Sequence, residues 1–328
     1  MRTLTPSPPT TGRLDPGVAA VRVSGLCRQP RTASIVRWLR VACALVTTAT
    51  ASLAAPPIEA QATPERPAAS HVWLDRAGEP LPFQTHGEIL EYLRSAEVVD
   101  RSPIGEGTTG AERILLDREG VRARAAFRKV DETHRGPFDN LPMSVRRVRD
   151  AAVFECAAYE LSQALGLGRV PPTVSRQIGK TTGSVQIWLE KAMIQPEFLK
   201  QSQDPPDVSR WNLQKHRMYV FDALIANLDR NQGNILVDRD GTLWFIDHTR
   251  AFAQTKDLLE PKKITRCSRD LWLALRNLDE ASVQQRLEPF LTKGEIEALF
   301  KRRLALVAHI ERLIAAEGEA AVLFEIDR

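Results

Sequence analysis

Asp229, Asn234 and Asp247 are the residues whose types and spacing most plainly suit chemistry. Asp229-Arg-Asn-Gln-Gly-Asn234 sets a carboxylate and a carboxamide at the two ends of one short loop, and Asp247 follows thirteen residues later at the end of Leu243-Trp-Phe-Ile-Asp247. Carboxylates gathered in a fold are costly unless a cation compensates them, and carboxylate and carboxamide oxygens are the ligands that hard divalent cations take. Phosphoryl transfer asks for such a set: a cradle and a cation for the phosphates, divalent metal, and a carboxylate to orient or deprotonate the acceptor. Asp229 is then the acceptor-orienting carboxylate. Asn234 and Asp247 are then the candidate ligands of a divalent metal.

The cation and the cradle come earlier in the chain. Lys129, in Phe127-Arg-Lys-Val130, lies on a strand whose alternation is expected to turn Lys129 inward and Arg128 to the opposite side. A glutamate on the next helix can aim that cation. Glu155 and Glu160 are the candidates; five helical positions separate them by about 140 degrees, so only one can face it squarely. Gly105-Glu-Gly107-Thr-Thr-Gly110 has a dinucleotide-type spacing but is followed by a strand pattern where a helix should open. Between two strands it suits a loop whose N–H groups cover phosphates. Glu190, ending Val185-Gln-Ile-Trp-Leu-Glu190, stands where a strand could lead to the nucleotide base.

These residues need elements to hold them. Apolar spacing predicts a helix over 83–99, with Val98 and Val99 opening a strand. A hairpin follows over 113–117 and 123–130, turned at 118–120. The clearest helix spans 150–165 and ends at Gly166 before Pro171-Pro172. Strands at 173–178 and 184–189, a polar loop at 195–208, a helix over 213–227 and a hairpin at 234–238 and 243–247 come next. The remainder is helical, and Thr292-Lys-Gly-Glu295 is a capping box. Strands cluster early and helices late, so a doubly wound sheet is excluded. The pattern predicts an α+β, two-lobed, protein-kinase-like fold with a strand-rich N-lobe over about 83–190 and a mainly helical C-lobe over 191–328.

The 328 residues are 43% hydrophobic and 26% charged, enough to bury a sizeable core. Lys and Arg (45) nearly balance Asp and Glu (41), which gives no reason to expect a nucleic-acid partner. Met1 to Arg40 holds seven Arg and one acid, and the uncharged run Val41–Ala55 leads to Ala60-Gln-Ala62. This is a secretory-signal pattern, and its apolar run is shorter than the about 20 residues of a membrane helix. We read 1–62 as a targeting signal with its apolar region at 41–55, and 63–82 as a linker. The mature chain is then exported, without a membrane span; organelle targeting is the alternative for so Arg-rich a head. Of four cysteines, Cys27 and Cys43 lie in that head, leaving Cys156 and Cys267 to pair or stay free. No C-x-x-C occurs to support a zinc ribbon.

Three stretches resemble the secretory-pathway kinases, the group of the Golgi casein kinase, its xylose-kinase and pseudokinase relatives, and four-jointed. They are Phe154-Glu-Cys-Ala-Ala-Tyr-Glu-Leu-Ser-Gln-Ala-Leu-Gly-Leu-Gly-Arg-Val-Pro-Pro-Thr-Val174, Asn227-Leu-Asp-Arg230 and Ile246-Asp-His-Thr-Arg-Ala-Phe252. The Asp-Arg-x-x-x-Asn form is also similar to phosphatidylinositol 3-/4-kinases. The resemblance favours Glu155 over Glu160, and implies an atypical kinase that uses ATP with Mg or Mn on a hydroxyl of a secreted protein or glycan. The chain departs from the family at His248-Thr249, where a glycine-containing metal loop is expected. A nucleotide-binding or scaffolding pseudokinase is the first alternative, and a lipid or small-molecule kinase the second.

Overall fold

The computed structural model describes residues 71–326 apart from 106–109, 139–140, 142, 144, 203–204 and 206. Gly107 and the expected targeting signal lie outside the described residues. Helix α1 (His86–Ser95) opens with a capping box in which Thr85 and Glu88 satisfy each other's backbone N–H groups. Its Ile89, Tyr92 and Leu93 pack on a five-stranded antiparallel sheet. That sheet contains β1 (Glu97–Pro103), β2 (Glu112–Arg118) and β3 (Val121–Arg128). Beyond β3 come β4 (Asp131–Arg135), β5 (Arg147–Ala151), α2 (Val153–Ala164), β6 (Thr173–Ile178) and β7 (Thr181–Ile187). The sheet order is β1-β2-β3-β7-β6, so α2 is inserted between two neighbours in the sheet.

The second part starts at β8 (Met193–Ile194) and α3 (Gln195–Ser202), then α4 (Val208–Ile225). The short strands β9 (Ile235–Val237) and β10 (Leu243–Phe245) form the expected hairpin, and β8 extends it. Strand β11 (Cys267–Ser268), α5 (Arg269–Arg276), α6 (Glu280–Leu287), α7 (Lys293–Glu317), α8 (Glu319–Val322) and β12 (Leu323–Phe324) complete it. The chain is thus a strand-rich lobe followed by a helical one, in a two-lobed protein-kinase-like fold. Helix α2 bridges the two: it follows the first lobe's strands, yet Phe154, Ala157, Tyr159 and Leu161 belong to the second lobe's core. Phe154 packs on Phe252 with ring centroids 5.4 Å apart.

Three elements differ from expectation. The β4–β5 hairpin was hidden because all five β4 side chains are exposed, leaving no apolar alternation to read. Residues 150–151, expected as helix, are strand. Helix α3 occupies part of the expected polar loop. Cys156 and Cys267 are both buried and free.

Arg302 of α7 fixes the floor of the second lobe. It is fully buried and donates to the carbonyl oxygens of Leu224 (2.8 Å) and Ala253 (2.7 Å), and to that of Thr255. Burial lowers this guanidinium to about 9. Replacing it would leave the Leu224 carbonyl at the end of α4 and the loop carbonyls of Ala253 and Thr255 without this donor. Arg302→Leu is expected to destabilise the protein by about 2–4 kcal/mol in chemical denaturation; a loss under about 0.5 kcal/mol would contradict that role.

Candidate active site

The loop after α4 begins under strain. Ala226, which caps α4, sits at φ 46°, and Asp247 (59°) and Phe252 (55°) share that left-handed region. Non-glycine residues adopt it at a cost; Glu119, Lys191 and Glu260 also do so elsewhere in the chain. The backbone pairs these turns directly: Ile246 donates to the Asn234 carbonyl (3.2 Å), and Leu228 to the Arg250 carbonyl (3.3 Å). Asp229, Asn234 and Asp247 are thereby carried on two interlocked loops.

Their side chains are engaged to different degrees. The Asn234 Nδ2 donates to the Asp229 carbonyl (2.8 Å), and no described donor takes its Oδ1, the atom a hard cation would bind. The Asp229 side chain is 44% exposed and lies 3.4 Å from Arg250 Nη1; Arg250 Nε also donates to Asp150 (2.8 Å). Burial raises the Asp247 carboxyl above its ordinary value; the Arg128 charge opposes this, while Glu155 and Asp229 add to it. A carboxylate in that position gains most from a nearby cation. Among the described residues no group of three or more His, Cys, Asp or Glu is gathered to cage a metal. Two protein ligands completed by phosphate and water is the usual form for Mg2+.

The cation expected at Lys129 is a correction. Lys129 is 44% exposed and its Nζ pairs with Glu112 at 2.8 Å. Arg128 is the inward residue: its side chain is 9% exposed, with Nε 3.6 Å from Glu155 and 4.0 Å from Asp247. Strand parity explains it. Ala123, Ala125 and Phe127 fill the core beneath α1, so Ala126 and Arg128 face the other side. The pairing expected between Glu155 and Lys129 is accordingly made with Arg128.

Glu155 is fully buried. Its Oε1 accepts the His248 backbone N–H (2.9 Å) and its Oε2 lies 3.0 Å from His248 Nδ1. Burial by itself would raise this carboxyl, but the Arg128 charge and the His248 hydrogen bonds outweigh it and hold it at about 2. Between about 2 and the ordinary 4.5 the unfolded chain binds more protons, so stability is lost as pH falls through that window. Glu155→Gln is expected to flatten that limb of the denaturation-versus-pH profile; an unchanged limb would count against an ionised Glu155. The rival Glu160 lies 3.5 Å from Arg286 of α6.

Glu190 is 3% exposed and bound in a two-point ion pair to Arg124, so its carboxylate is not available to a base. Gly105 and Gly110 both take φ 60°, which favours glycine, and Ile104 N–H closes the loop's base on the Ala111 carbonyl (3.0 Å). Arg128, Arg230, His248 and Arg250 were missed by sequence reasoning. Only Arg128 had a legible cue, since counting alternation from Phe127 puts it on the far face.

The fold and site define the class: a two-lobed protein-kinase-like architecture. A family model described as phosphatidylinositol 3- and 4-kinase matches residues 136–281, which include α2 and both loops. Among solved structures, the chain is similar to hydra Fam20 with sugar at 17% identity and TM-score 0.57, covering 74% of this chain and 93% of that one. It is also similar to the Golgi casein kinase at 17% identity and TM-score 0.54, covering 73% and 78%. The Golgi casein kinase with Mn/ADP bound gives 16% and 0.54 over the same shares. No curated protein matches.

Proposed function

We propose that the protein is an ATP-dependent phosphotransferase moving the γ-phosphate to a hydroxyl on a secreted protein or glycan. The observation that carries this is Arg128 Nη1, a buried donor with no partner among the described residues, beside Asp247. An orphaned guanidinium N–H costs free energy unless something anionic takes it, and a phosphate oxygen is a natural acceptor. The residues therefore fit a nucleotide with its metal. That group, when bound, supplies the transferable phosphate and the charge that neutralises the two aspartates.

In this reading Arg128 binds a phosphate and is aimed by Glu155. Asn234 and Asp247 hold Mg2+ or Mn2+, and Asp229 orients the acceptor hydroxyl. The loop at Gly105 and Gly110 covers the phosphates with N–H groups. Beyond β7, the main chain near Glu190 is left to meet the base. The Mn/ADP complex of the Golgi casein kinase supports nucleotide and divalent metal use. The apolar run 41–55 followed by Ala60-Gln-Ala62 supports export to the periplasm, the secretory pathway or the medium, with organelle targeting the alternative.

One observation favours a second reading, a nucleotide-binding pseudokinase: Arg250 lies against Asp229 and would compete with an acceptor. Transfer of labelled phosphate from ATP to protein, glycan, lipid and small polyol acceptors, with Mn or Mg, separates these. Label on a protein or glycan is expected. Label on lipid or polyol alone would overturn the acceptor, and no transfer despite tight nucleotide binding would favour the pseudokinase.

A further inference from the structure

His248 occupies the place where the resemblance leads one to expect a glycine-containing loop, and the fold buries it completely. Both ring nitrogens are taken. Nδ1 lies 3.0 Å from Glu155 Oε2 on α2, and Nε2 lies 3.0 Å from Arg230 Nη2 on the loop that carries Asp229. A guanidinium can only donate, so Nε2 accepts and Nδ1 carries the proton given to Glu155. Arg230 is itself fixed: it donates to both oxygens of Asp222 (3.0 and 3.1 Å) and to the carbonyls of Asn234 and Ile246. Asp222 also accepts from Asn227 Nδ2 (3.0 Å), whose Oδ1 takes the Asp229 backbone N–H (3.2 Å).

A continuous chain of polar contacts, fully buried at Glu155 and His248, thus runs from Arg128 through Glu155, His248, Arg230, Asp222 and Asn227 to the backbone of Asp229. We infer that His248 is a positioning residue that holds helix α2 and the Asp229–Asn234 loop in register across Asp247, making the phosphate-binding and acceptor-orienting halves of the site one unit. No other described side chain bonds to both Glu155 and Arg230. Its catalytic consequence rests on the phosphotransfer reading; its geometry does not.

Two conservative variants divide the ring's bonds. In His248→Asn the amide reaches the Nδ1 position and keeps Glu155 but loses Arg230. In His248→Gln it reaches the Nε2 position and keeps Arg230 but loses the side-chain bond to Glu155 Oε2, while the backbone N–H bond to Oε1 stays in both variants. Native-state amide hydrogen exchange on the full chain is expected to show segment-specific loosening of at least about tenfold. His248→Asn should loosen 227–234 and spare α2, and His248→Gln should do the reverse. Where the wild type transfers phosphate, both variants should lower kcat about 10- to 100-fold with KM for ATP changed less than about threefold. Uniform loosening in both variants, loosening in neither, or failure of both to fold would overturn the positioning role, since each variant retains one bond. A wild type without transfer would sink the phosphotransfer reading alone, because the exchange pattern still decides the relay.

Discussion

Arg128→Met is expected to lower kcat/KM for ATP by about 10²–10³-fold, the size of loss seen when one preorganised donor is removed from developing charge. Lys129→Ala should leave it within about threefold. The contrast follows from two neighbouring side chains with opposite fates. Arg128 is buried beside Glu155 and Asp247 with an unsatisfied N–H, whereas Lys129 is exposed and paired with Glu112. Methionine keeps most of the aliphatic bulk, so folding should survive even though Glu155 loses a partner; Glu155 keeps both His248 bonds. Arg128→Lys is the informative intermediate. An ammonium carries the charge but lacks the planar fork, and partial activity is expected. Steady-state kinetics on the three variants checks this. A severe Lys129→Ala defect with a mild Arg128→Met one would restore the alternation expected from sequence and remove Arg128 from the site.

Asp247→Asn should have the larger effect on metal-dependent chemistry, about 10³-fold or more in kcat, because on the proposed reading it removes the charged member of the two-ligand pair Asn234 and Asp247. It should also act oppositely on the nucleotide-free protein. Burial with Glu155 and Asp229 nearby disfavours the ionised form of Asp247. The folded chain therefore holds its proton to higher pH than the unfolded chain does, and ionisation at neutral pH opposes folding. Replacing the carboxylate with a neutral amide relieves this, so the melting temperature without nucleotide should be unchanged or higher, a trade of stability for activity common at functional sites. Calorimetric melting of both forms, with and without ATP and metal, tests both halves. A variant that melts well below the wild type without ligand would mark Asp247 as a structural residue.

How much of this was legible in the sequence follows from what each residue type can signal locally. The Asp229–Asn234 loop and the β9–β10 hairpin were readable because turn residues and apolar runs leave a mark within a few positions. The capping box at Thr292 and Glu295 was readable for the same reason, and both its hydrogen bonds form. The exposed β4 strand left no mark, and Arg128 was misread because β3 ends there, so one more step of alternation to Lys129 runs past the strand. His248 and Arg250 act through partners distant in sequence: His248 meets Glu155 across 93 positions and Arg250 meets Asp150 across 100. No local period encodes such pairs; folding brings them together. Glu155 was favoured over Glu160 by resemblance alone, and the physical reason is now visible in the two ion pairs that direct these side chains to opposite sides of α2.

The most direct measurement is thermal stability of the purified protein with ATP, titrated in the presence and absence of Mg2+ or Mn2+, with Asp247→Asn alongside. A nucleotide bound at 100 times its Kd adds about 2.7 kcal/mol to the folded state. The wild type is expected to show a stabilisation of that order that needs both ATP and metal, and Asp247→Asn to show none. A folded wild type that ATP and metal leave unmoved, or a variant stabilised as strongly as the wild type, would contradict a nucleotide–metal site at Arg128, Asn234 and Asp247.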